Sequence, residues 1–450
     1  MSLRRAGAAL AFAVALGTPL NAGAQTVPVT ERPNVLIIVT DDQRVETMSA
    51  MPATRELYRT GGTDFTNAFA TTPFCCPSRA SIMSGRYPHN HGITSGENGQ
   101  PNRWQQSASI QRELKLVGYR TGIFGKFLNG WDLQRSPTHF DDWEIYTSSN
   151  NYYDGTWNVD GLVQEIPTYS TRFIGQQARN FIEESEAVDD QPWYLYLAPA
   201  APHSPFIAEP RFEEARVGRW DGNPAVAESD RSDKPDFVHA RSVDLRKGRY
   251  LRKAQLRTLM SVDRMVARVH ETMSELGEDN TLAIYLSDNG FMWGEHGLAK
   301  KRVPYGPSVR IPMFMRWPEQ IGAEVVDDRL AANIDVAPTV FDATDVIPSY
   351  TLDGQSLLVP ERRTRLLLEF FMTAKRDVPS WASTVTEGFQ YIEYYAGPGL
   401  IADAEYYDLA NDPWQLTNLL GDSDLTNDPD VPALSIQLSA DRSCAGQECP

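Results

Sequence analysis

Two continuous apolar, β-branched runs are the strongest constraint on the fold of this chain. Residues 34–40 (NVLIIVT) and 281–287 (TLAIYLS) lack the polar alternation of a half-exposed strand, which is typical of strands buried on both faces of a parallel sheet. Residues 193–197 are a third candidate strand. Residues 251–276 between them show helical periodicity, and Gly277 follows at the C-cap position. Strands that alternate with helices predict an α/β sheet covered by helices on both sides.

The two best strands end in oxygen-bearing side chains. Asp41 and Asp42 follow the first run, and Asp288 and Asn289 follow the second. In open α/β sheets ligands bind beyond the carboxyl ends of the strands, so we expect these four side chains to converge. Hard oxygen ligands select Ca²⁺ or Mg²⁺ over Zn²⁺. The alternative for either pair alone is a solvated turn or a helix cap.

The chain changes character after about residue 358. Residues 365–370 and 391–395 are predicted to be strands. Residues 405–409 are predicted to be a further strand, which a turn and then a short helix near Asn418 follow. This pattern predicts a smaller C-terminal α+β domain with a short antiparallel sheet. Residues 221–246 are rich in Asp, Ser, Arg and Lys, and we expect a long surface loop there.

The N-terminal residues predict export. Arg4 and Arg5 precede an apolar stretch over residues 6–16, and the small residues 22–24 fit a signal-peptide cleavage site. The apolar stretch is shorter than the roughly 20 residues that cross a bilayer, so no integral membrane span is expected. We therefore predict a periplasmic or secreted protein. The expected organisation is a signal peptide over 1–24, a catalytic domain over 25–360 and a small C-terminal domain over 361–450.

Charge and cysteine content narrow the class further. The net charge is −17, which argues against a nucleic-acid-binding protein and against a general polyanion-binding surface. An anionic substrate would need a locally positive pocket. Cys444 and Cys449 are close in sequence, and an oxidising compartment would favour a small disulfide loop between them over two free thiols.

The most specific chemical signal is at residues 75–79 (CCPSR), which are followed by SGR at residues 84–86. This stretch resembles the maturation signature of type I sulfatases, with Met83 and Ser84 where Leu and Thr are usual. The resemblance implies that a formylglycine-generating maturation enzyme oxidises Cys75 to formylglycine. Taken without their flanks, the paired cysteines would indicate a buried free thiol or a vicinal disulfide.

Other segments resemble the same family in the same order along the chain. The family resemblance implies an alkaline-phosphatase-like fold, with a large, mixed and mostly parallel sheet flanked by helices. It also assigns roles to four polar residues. Lys126 after Gly125 and Lys301 in residues 293–305 would bind sulfate oxygens, His203 in APHSP would contact the sulfate and the leaving group, and Arg79 would support the formylglycine diol.

The implied mechanism is in-line attack on sulfur by one hydroxyl of hydrated residue 75. The second hydroxyl then expels sulfate and regenerates the aldehyde, a step that a serine ester cannot make. The implied metal ligands are Asp41, Asp42, Cys75, Asp288 and Asn289. Many sulfatases carry Trp-His after the lysine, but Lys126 is followed here by FLN. Asn129 cannot act as a base, so His89 and His91 are candidate substitutes.

Within the sulfatases, the chain resembles the glucosamine-6-sulfatases that act on heparan or keratan sulfate. The doubled Cys, residues 88–91 (PHNH), residues 151–153 (NYY) and residues 159–161 (VDG) carry this resemblance. We expect a sulfated glycan or a small sulfate ester as the substrate, and Ca²⁺ as the metal with Mg²⁺ as the alternative. Two alternatives remain open: a phosphomonoester or phosphonate-ester hydrolase of the same superfamily, and a non-catalytic glycan-binding or Ca²⁺-binding protein that keeps Cys75 as a thiol.

Overall fold

The structure, a computed structural model, describes residues 32–147, 152–188, 190–373 and 378–450. The predicted signal peptide and Asn151 lie outside these ranges. The strands are β1 (Asn34–Thr40), β2 (Thr63–Phe65), β3 (Ala68–Phe69), β4 (Arg120–Lys126), β5 (Asp142–Tyr146), β6 (Gly155–Val159), β7 (Leu162–Ile166), β8 (Trp193–Ala198), β9 (Thr281–Ser287), β10 (Met292–Trp293), β11 (Ala299–Lys300), β12 (Met313–Arg316), β13 (Val325–Asp327), β14 (Ala331–Ala332), β15 (Leu366–Phe370), β16 (Ser380–Val385), β17 (Phe389–Gly397) and β18 (Leu400–Asp408). The α-helices are α1 (Pro52–Thr54), α2 (Cys75–Ser84), α3 (Pro88–His91), α4 (Ile110–Leu116), α5 (Ser170–Glu186), α6 (Pro224–Ala227), α7 (Asp236–His239), α8 (Leu245–Leu276), α9 (Gly306–Val309), α10 (Val336–Ala343) and α11 (Val431–Asp441).

The first apolar run lies at the centre of a large sheet. Ten strands form this sheet in the order β13-β2-β12-β9-β1-β8-β4-β5-β6-β7. The five strands from β9 to β5 run parallel to one another, whereas the flanks contain antiparallel pairs. The sequence prediction of a large, mixed and mostly parallel sheet is confirmed.

Both faces of this sheet are covered, which explains the continuous apolar character of its central strands. Along β1, Val35 and Ile37 belong to the apolar core on one face, while Leu36 and Ile38 belong to the core on the other. Helix α8 supplies much of the second core through residues such as Leu259 and Val266. A strand with solvent on one face would need polar residues at alternate positions.

A second sheet follows at the C-terminal end. Its four antiparallel strands are in the order β15-β16-β17-β18, and they contain all three predicted strand segments. The sheet packs against the first part of the chain through a shared apolar core that includes Phe74, Tyr305 and Leu367. The predicted small C-terminal antiparallel sheet is confirmed.

Two local predictions are wrong. The short helix expected near Asn418 does not form, because Asn418 Oδ1 accepts hydrogen bonds from the backbone N–H groups of Tyr406 and Leu420 and fixes a turn. The nearest helix is α11, which starts at Val431. The expected loop over residues 221–246 contains α6 and α7, and α8 begins at Leu245 because Asp244 caps its N-terminus by accepting the N–H of Lys247 at 2.8 Å.

The predicted disulfide between Cys444 and Cys449 is present. Within the described ranges, none of the helices combines the length and the apolar character needed to cross a bilayer.

Gly125 allows β4 and β8 to approach each other directly before Lys126. Its φ is +116°, and a Cβ atom there would lie 2.2 Å from the carbonyl oxygen of Ala198, its partner in the β4–β8 pairing. Only glycine combines this backbone conformation with so close an approach. The position of Lys126 therefore depends on the absence of a side chain one residue earlier.

We expect Gly125→Ala to lower the free energy of unfolding by at least about 2 kcal/mol, because both the left-handed backbone and the clash with Ala198 oppose the methyl group. Gly388→Ala is the matched control, since a methyl group at position 388 would have no described heavy atom within 4 Å and the residue has no positive φ. That control should change the free energy of unfolding by less than about 0.5 kcal/mol. Urea denaturation measures both, and equal stability of the two variants would refute the prediction.

Candidate active site

The polar residues that follow β1 and β9 meet at one edge of the large sheet. Thr40 lies opposite Ser287 in the β1–β9 pairing, so the residues after them are neighbours. Asp42 has a left-handed φ of 71°, and its backbone N–H donates to Asp288 Oδ1 at 3.1 Å. Asn289 Nδ2 donates to Asp42 Oδ1 at 2.7 Å. The strand ends thus bring these side chains into direct contact.

Cys75 reaches the same edge from the first turn of α2. The residue is 3 % exposed, and its Sγ lies 3.4 Å from Asp41 Oδ1 and 2.6 Å from Lys301 Nζ. Cys75 and Cys76 are both free thiols, so they do not form a vicinal disulfide. The thiol at position 75 therefore has a carboxylate and an ammonium group as its polar neighbours.

Three buried cations face three buried carboxylates at this edge. The ion pairs are Lys126 with Asp41, Lys301 with Asp42, and Arg79 with Asp288. Arg79, one turn along α2 from Cys75, also donates from Nη1 to the carbonyl oxygen of Lys126 at 3.0 Å. Its Nη2 is buried and has no hydrogen-bond partner among the described residues. The site is thus densely charged but internally compensated.

This pairing determines which groups carry charge. Burial alone would raise the pKa of Asp41, but Lys126 and the other nearby cations hold it far below its usual range. Burial alone would lower the pKa of Lys301, but Asp42 and Cys75 raise it above its ordinary value. Burial raises the pKa of the Cys75 thiol to about 12, although Lys126 and Lys301 act against this increase. Asp41 and Lys301 therefore stay ionised at neutral pH, whereas the thiol stays protonated.

His203 lies on the loop after β8, at the mouth of the site. Its Nδ1 is 2.7 Å from the carbonyl oxygen of Ser204, which accepts only if Nδ1 carries a proton. Its Nε2 is 3.6 Å from Asp42 Oδ2. The side chain is 21 % exposed, so its Nε2 can reach a molecule that enters from solvent.

Four potential metal-ligating side chains cluster here. Ligand atoms of Asp41, Asp42, Cys75 and His203 all lie within 4.8 Å of one another. Asp288 is outside this group, and its two oxygens contact Arg79 and the backbone N–H of Asp42. The buried Oδ1 of Asn289 has no hydrogen-bond partner among the described residues. Carboxylate oxygens with a free amide oxygen beside them are suitable ligands for a hard divalent cation.

A cavity of about 590 Å³ opens above these groups. Asp42, Cys75, His203 and Lys301 belong to its lining, whereas Lys126 lies behind Asp41 and is fully buried. Several lining residues were not among the site residues predicted from the sequence: Glu97, Thr147, Phe206, Lys247, Phe291, Lys300 and Arg302. Lys300 and Arg302 flank Lys301 in sequence, which is the one signal that could have identified them.

His89 and His91, the candidate bases, are not in the cavity lining. His89 contacts the carboxylate of Glu369 through Nδ1 at 3.0 Å and the carbonyl oxygen of Cys444 through Nε2 at 3.0 Å. His91 accepts the N–H of Ile93 at Nδ1, and burial lowers its pKa to about 3. Both histidines therefore have structural partners of their own.

The segment that leads to Lys301 is held by a further buried ion pair, between Arg44 and Glu295. Glu295 accepts from Arg44 Nη1 at 2.7 Å and from the backbone N–H of Trp293 at 2.6 Å. The Arg44 guanidinium lies 3.9 Å from the centre of the Trp293 ring. These contacts fix the segment that leads to Lys301.

Comparison with known proteins places this geometry in a family context. Residues 33–346 match the family model described as "Sulfatase", and residues 294–434 match the model described as "N-sulphoglucosamine sulphohydrolase, C-terminal". The "Putative extracellular sulfatase Sulf-1 homolog" of Caenorhabditis elegans is 34 % identical over 349 residues, which are 72 % of this chain and 48 % of that protein. The chain thus spans less than half the length of this relative.

Two further comparisons cover more of both proteins. The N-acetylglucosamine-6-O-sulfatase of Bacteroides thetaiotaomicron is 26 % identical over 476 residues, which cover 87 % of this chain and 83 % of that protein. A structure solved with its substrate D-glucosamine-2-N,6-O-disulfate superposes with a TM-score of 0.78 at 23 % identity, covering 91 % of this chain and 97 % of the other. That likeness establishes the fold.

The high pKa of the Cys75 thiol leads to a labelling prediction. In folded protein that retains this cysteine, alkylation by iodoacetamide at pH 8 should be at least about a thousandfold slower than for an exposed cysteine, because only the thiolate reacts. Denaturant should expose both Cys75 and Cys76 and make them react rapidly. Peptide mass spectrometry over a pH series measures this, and rapid labelling of the folded protein below pH 9 would contradict it.

Proposed function

This chain belongs to the sulfatase family, and we propose that it is an exported, metal-dependent hydrolase of O-sulfate esters. The observation that carries the proposal is the position of Cys75 on the cavity lining, in contact with Lys301 and Asp41. A tetrahedral anion that enters the cavity meets the reactive position and buried cationic groups together. This arrangement favours transfer of a sulfuryl group to residue 75.

We propose that Cys75 is the precursor of formylglycine and that a maturation enzyme performs the conversion. The thiol pKa of about 12 makes Cys75 a poor thiolate nucleophile at neutral pH. The neighbours of Sγ fit a hydrated aldehyde, since Lys301 can donate to one hydroxyl and Asp41 can accept from another. Formylglycine would supply a hydroxyl nucleophile and a second hydroxyl that allows sulfate to leave.

Ca²⁺ is the proposed metal, with Mg²⁺ as the alternative. The unpartnered Oδ1 of Asn289, the ionised Asp41 and the neighbouring side-chain oxygens of Asp42 fit a hard cation. We propose Asp41, Asp42, residue 75, Asp288 and Asn289 as its ligands. When bound, such an ion polarises the oxygens of an anionic group and lowers the pKa of a coordinated hydroxyl group.

The remaining side chains position and protonate the substrate. Lys301 and Lys126 would neutralise negative charge on the sulfuryl oxygens. Arg79 would support the formylglycine diol, which supplies the nucleophile. His203 would donate a proton from Nε2 to the departing alcohol oxygen in the form of the ring that carries a proton on each nitrogen, while its Nδ1–H keeps its bond to the carbonyl of Ser204. The base that expels sulfate is not assigned, since His89 and His91 are not in the cavity lining.

Sulfated carbohydrate, with a 6-O-sulfo-glucosamine-like unit, is the proposed substrate class. The names of the relatives support this choice, and the cavity volume of about 590 Å³ is in the range of small-molecule sites. The disulfide between Cys444 and Cys449 supports export to an oxidising compartment, as does the N-terminal pattern. We also propose a domain boundary near residue 360, before the second sheet.

The first test combines mass spectrometry with kinetics. In protein from a host that contains the maturation enzyme, the peptide with residue 75 should have lost the sulfur and gained an aldehyde. Hydrolysis of an aryl sulfate should exceed that of the matched aryl phosphate, and Cys75→Ala should reduce turnover by at least about 10⁴-fold, because removing a nucleophile costs this much or more.

Cys76→Ala is the matched control, since Cys76 is equally buried but lies in the apolar core. It should retain most of the activity. An intact thiol at position 75 in an active preparation would refute the proposed nucleophile. Faster hydrolysis of the phosphate ester would favour the phosphatase alternative. If the protein hydrolysed neither ester and no sulfated glycan, a binding role would be left.

Metal removal gives an independent prediction. A Ca²⁺ concentration 100 times the Kd should raise the free energy of unfolding by about 2.7 kcal/mol relative to chelated protein. Asn289→Ala should lose most of this gain, whereas Asn129→Ala, which changes a cavity residue without a bond to the carboxylates, should keep it. Thermal denaturation in Ca²⁺, Mg²⁺ and chelator measures the effect, and identical stability in all three would refute a metal site.

A further inference from the structure

A second cavity of about 270 Å³ lies between α5 and α8 and is lined by five arginines. We call it the arginine groove, and its arginines are Arg172, Arg179, Arg211, Arg264 and Arg268. The chain as a whole has a net charge of −17. Such a local concentration of guanidinium groups therefore runs against the average charge of the protein.

The close packing of α5 against α8 and one buried carboxylate shape the groove. Gly175 lets α5 approach α8, since a Cβ there would lie 2.8 Å from Met265 Cγ. On the floor, the 5 % exposed Glu209 accepts from Ser261 Oγ at 3.2 Å and lies 3.2 Å from Arg211 Nη2. One buried carboxylate thus anchors the floor while the surrounding arginines keep a positive excess.

Few acidic groups of the described chain compensate these arginines. Arg172 Nη1 is 4.0 Å from the same Glu209, and the side chain is 60 % exposed. Arg268 pairs with Glu271 at 3.6 Å on the outer side, and it is 52 % exposed. Arg264 is exposed on the same helix. Among the described residues, five cations thus face two carboxylates, so the groove favours a ligand with several negative charges.

Basic side chains continue from the groove to the catalytic cavity along α8. A third cavity, of about 350 Å³, lies between them and includes Lys253 and Arg257 in its lining. It shares Phe206 with the catalytic cavity, which Lys247 of α8 also lines. From Lys247 to Arg268, α8 extends about 30 Å at 1.5 Å per residue. Glu213 and Glu214 are the acidic residues beside this middle section.

We propose that the arginine groove and the basic face of α8 bind sulfate groups of a polymeric glycan while one of its sugars occupies the catalytic cavity. This inference rests on the proposed function. Arginine forks match the oxygens of sulfate through paired N–H donors. The described residues that line the groove include no aromatic ring, and such rings are what single-stranded nucleic acid uses for stacking. A groove without such rings favours a sulfated chain over single-stranded nucleic acid. Because the groove lies along α8 from the catalytic cavity, a long chain can contact both, whereas a small ester cannot.

The test compares a small and a polymeric substrate in the mature enzyme. The groove variant is Arg172→Ala/Arg264→Ala/Arg268→Ala. The matched control is Arg55→Ala/Arg59→Ala/Arg362→Ala, which removes three exposed arginines outside the groove. For an aryl sulfate, both variants should keep kcat/KM within about twofold. For heparin, the groove variant should raise KM about tenfold with kcat little changed, because each exposed charge contact contributes a factor of about 1.5 to 5.

Direct binding separates this inference from the proposed function. Fluorescence anisotropy with a labelled heparin dodecasaccharide should show weaker binding and a smaller salt dependence for the groove variant than for wild type and the control. Failure of the wild-type enzyme to hydrolyse any sulfate ester would refute the proposed function, while this binding difference would still support the groove.

Equal binding of heparin by all three proteins would overturn the inference. Desulfated heparin should bind weakly to wild type, and inorganic sulfate at equal concentration of sulfate groups should not displace the dodecasaccharide. Displacement by inorganic sulfate would mean that the groove is a site for the free anion. Equally tight binding of single-stranded DNA of the same length, dependent on the same three arginines, would mean that it is a nonspecific polyanion site.

Discussion

The structure depends on the mutual neutralisation of buried charges at the carboxyl ends of its central strands. Three carboxylates and three cations, all shielded from solvent, contact one another there. Moving one such charge out of water without a partner costs several kcal/mol. Each pair therefore requires that the elements carrying it be in register. The parallel pairing of β1 with β8 and β9, and of β8 with β4, fixes the members that follow or end these strands, whereas Arg79 comes from α2 and Lys301 from the loop after β11.

The same pairing couples stability to chemistry at this edge. Removal of one member leaves its partner buried and uncompensated, which costs about 3–5 kcal/mol. Lys301 is the clearest case, because its Nζ contacts both Asp42 and the sulfur of Cys75. A loss of activity in a Lys301 variant thus reports on the proposed sulfuryl transfer only if the free energy of unfolding is unchanged. Lys300 is next to Lys301 in sequence and is exposed, so its replacement would not leave a buried charge without a partner.

Local sequence patterns are sufficient to predict the two central strands and the part of the site that lies at their ends. The runs at residues 34–40 and 281–287 coincide with β1 and β9, because an uninterrupted apolar run has few alternatives to a strand buried on both faces. The side chains at those strand ends then meet because β1 and β9 are parallel neighbours and end at the same edge of the sheet. Lys126, His203 and Lys301 were different, since only the family resemblance singled them out. Their arrival near Asp41 and Asp42 depends on long-range packing that no local pattern encodes.

The errors have equally specific causes. The helix predicted near Asn418 failed because the asparagine side chain bonds to backbone N–H groups that a helix would need. The net charge of −17 argues against a general polyanion-binding surface, and the arginine groove is instead a local concentration of positive charge on one side of α8. Net charge averages over the whole surface, whereas an anion responds to charges within about 10 Å, the screening length at 0.1 M salt. Arg172 and Arg264 are remote in sequence and meet only because α5 and α8 pack together, so the composition of the chain could not reveal the surface that they form.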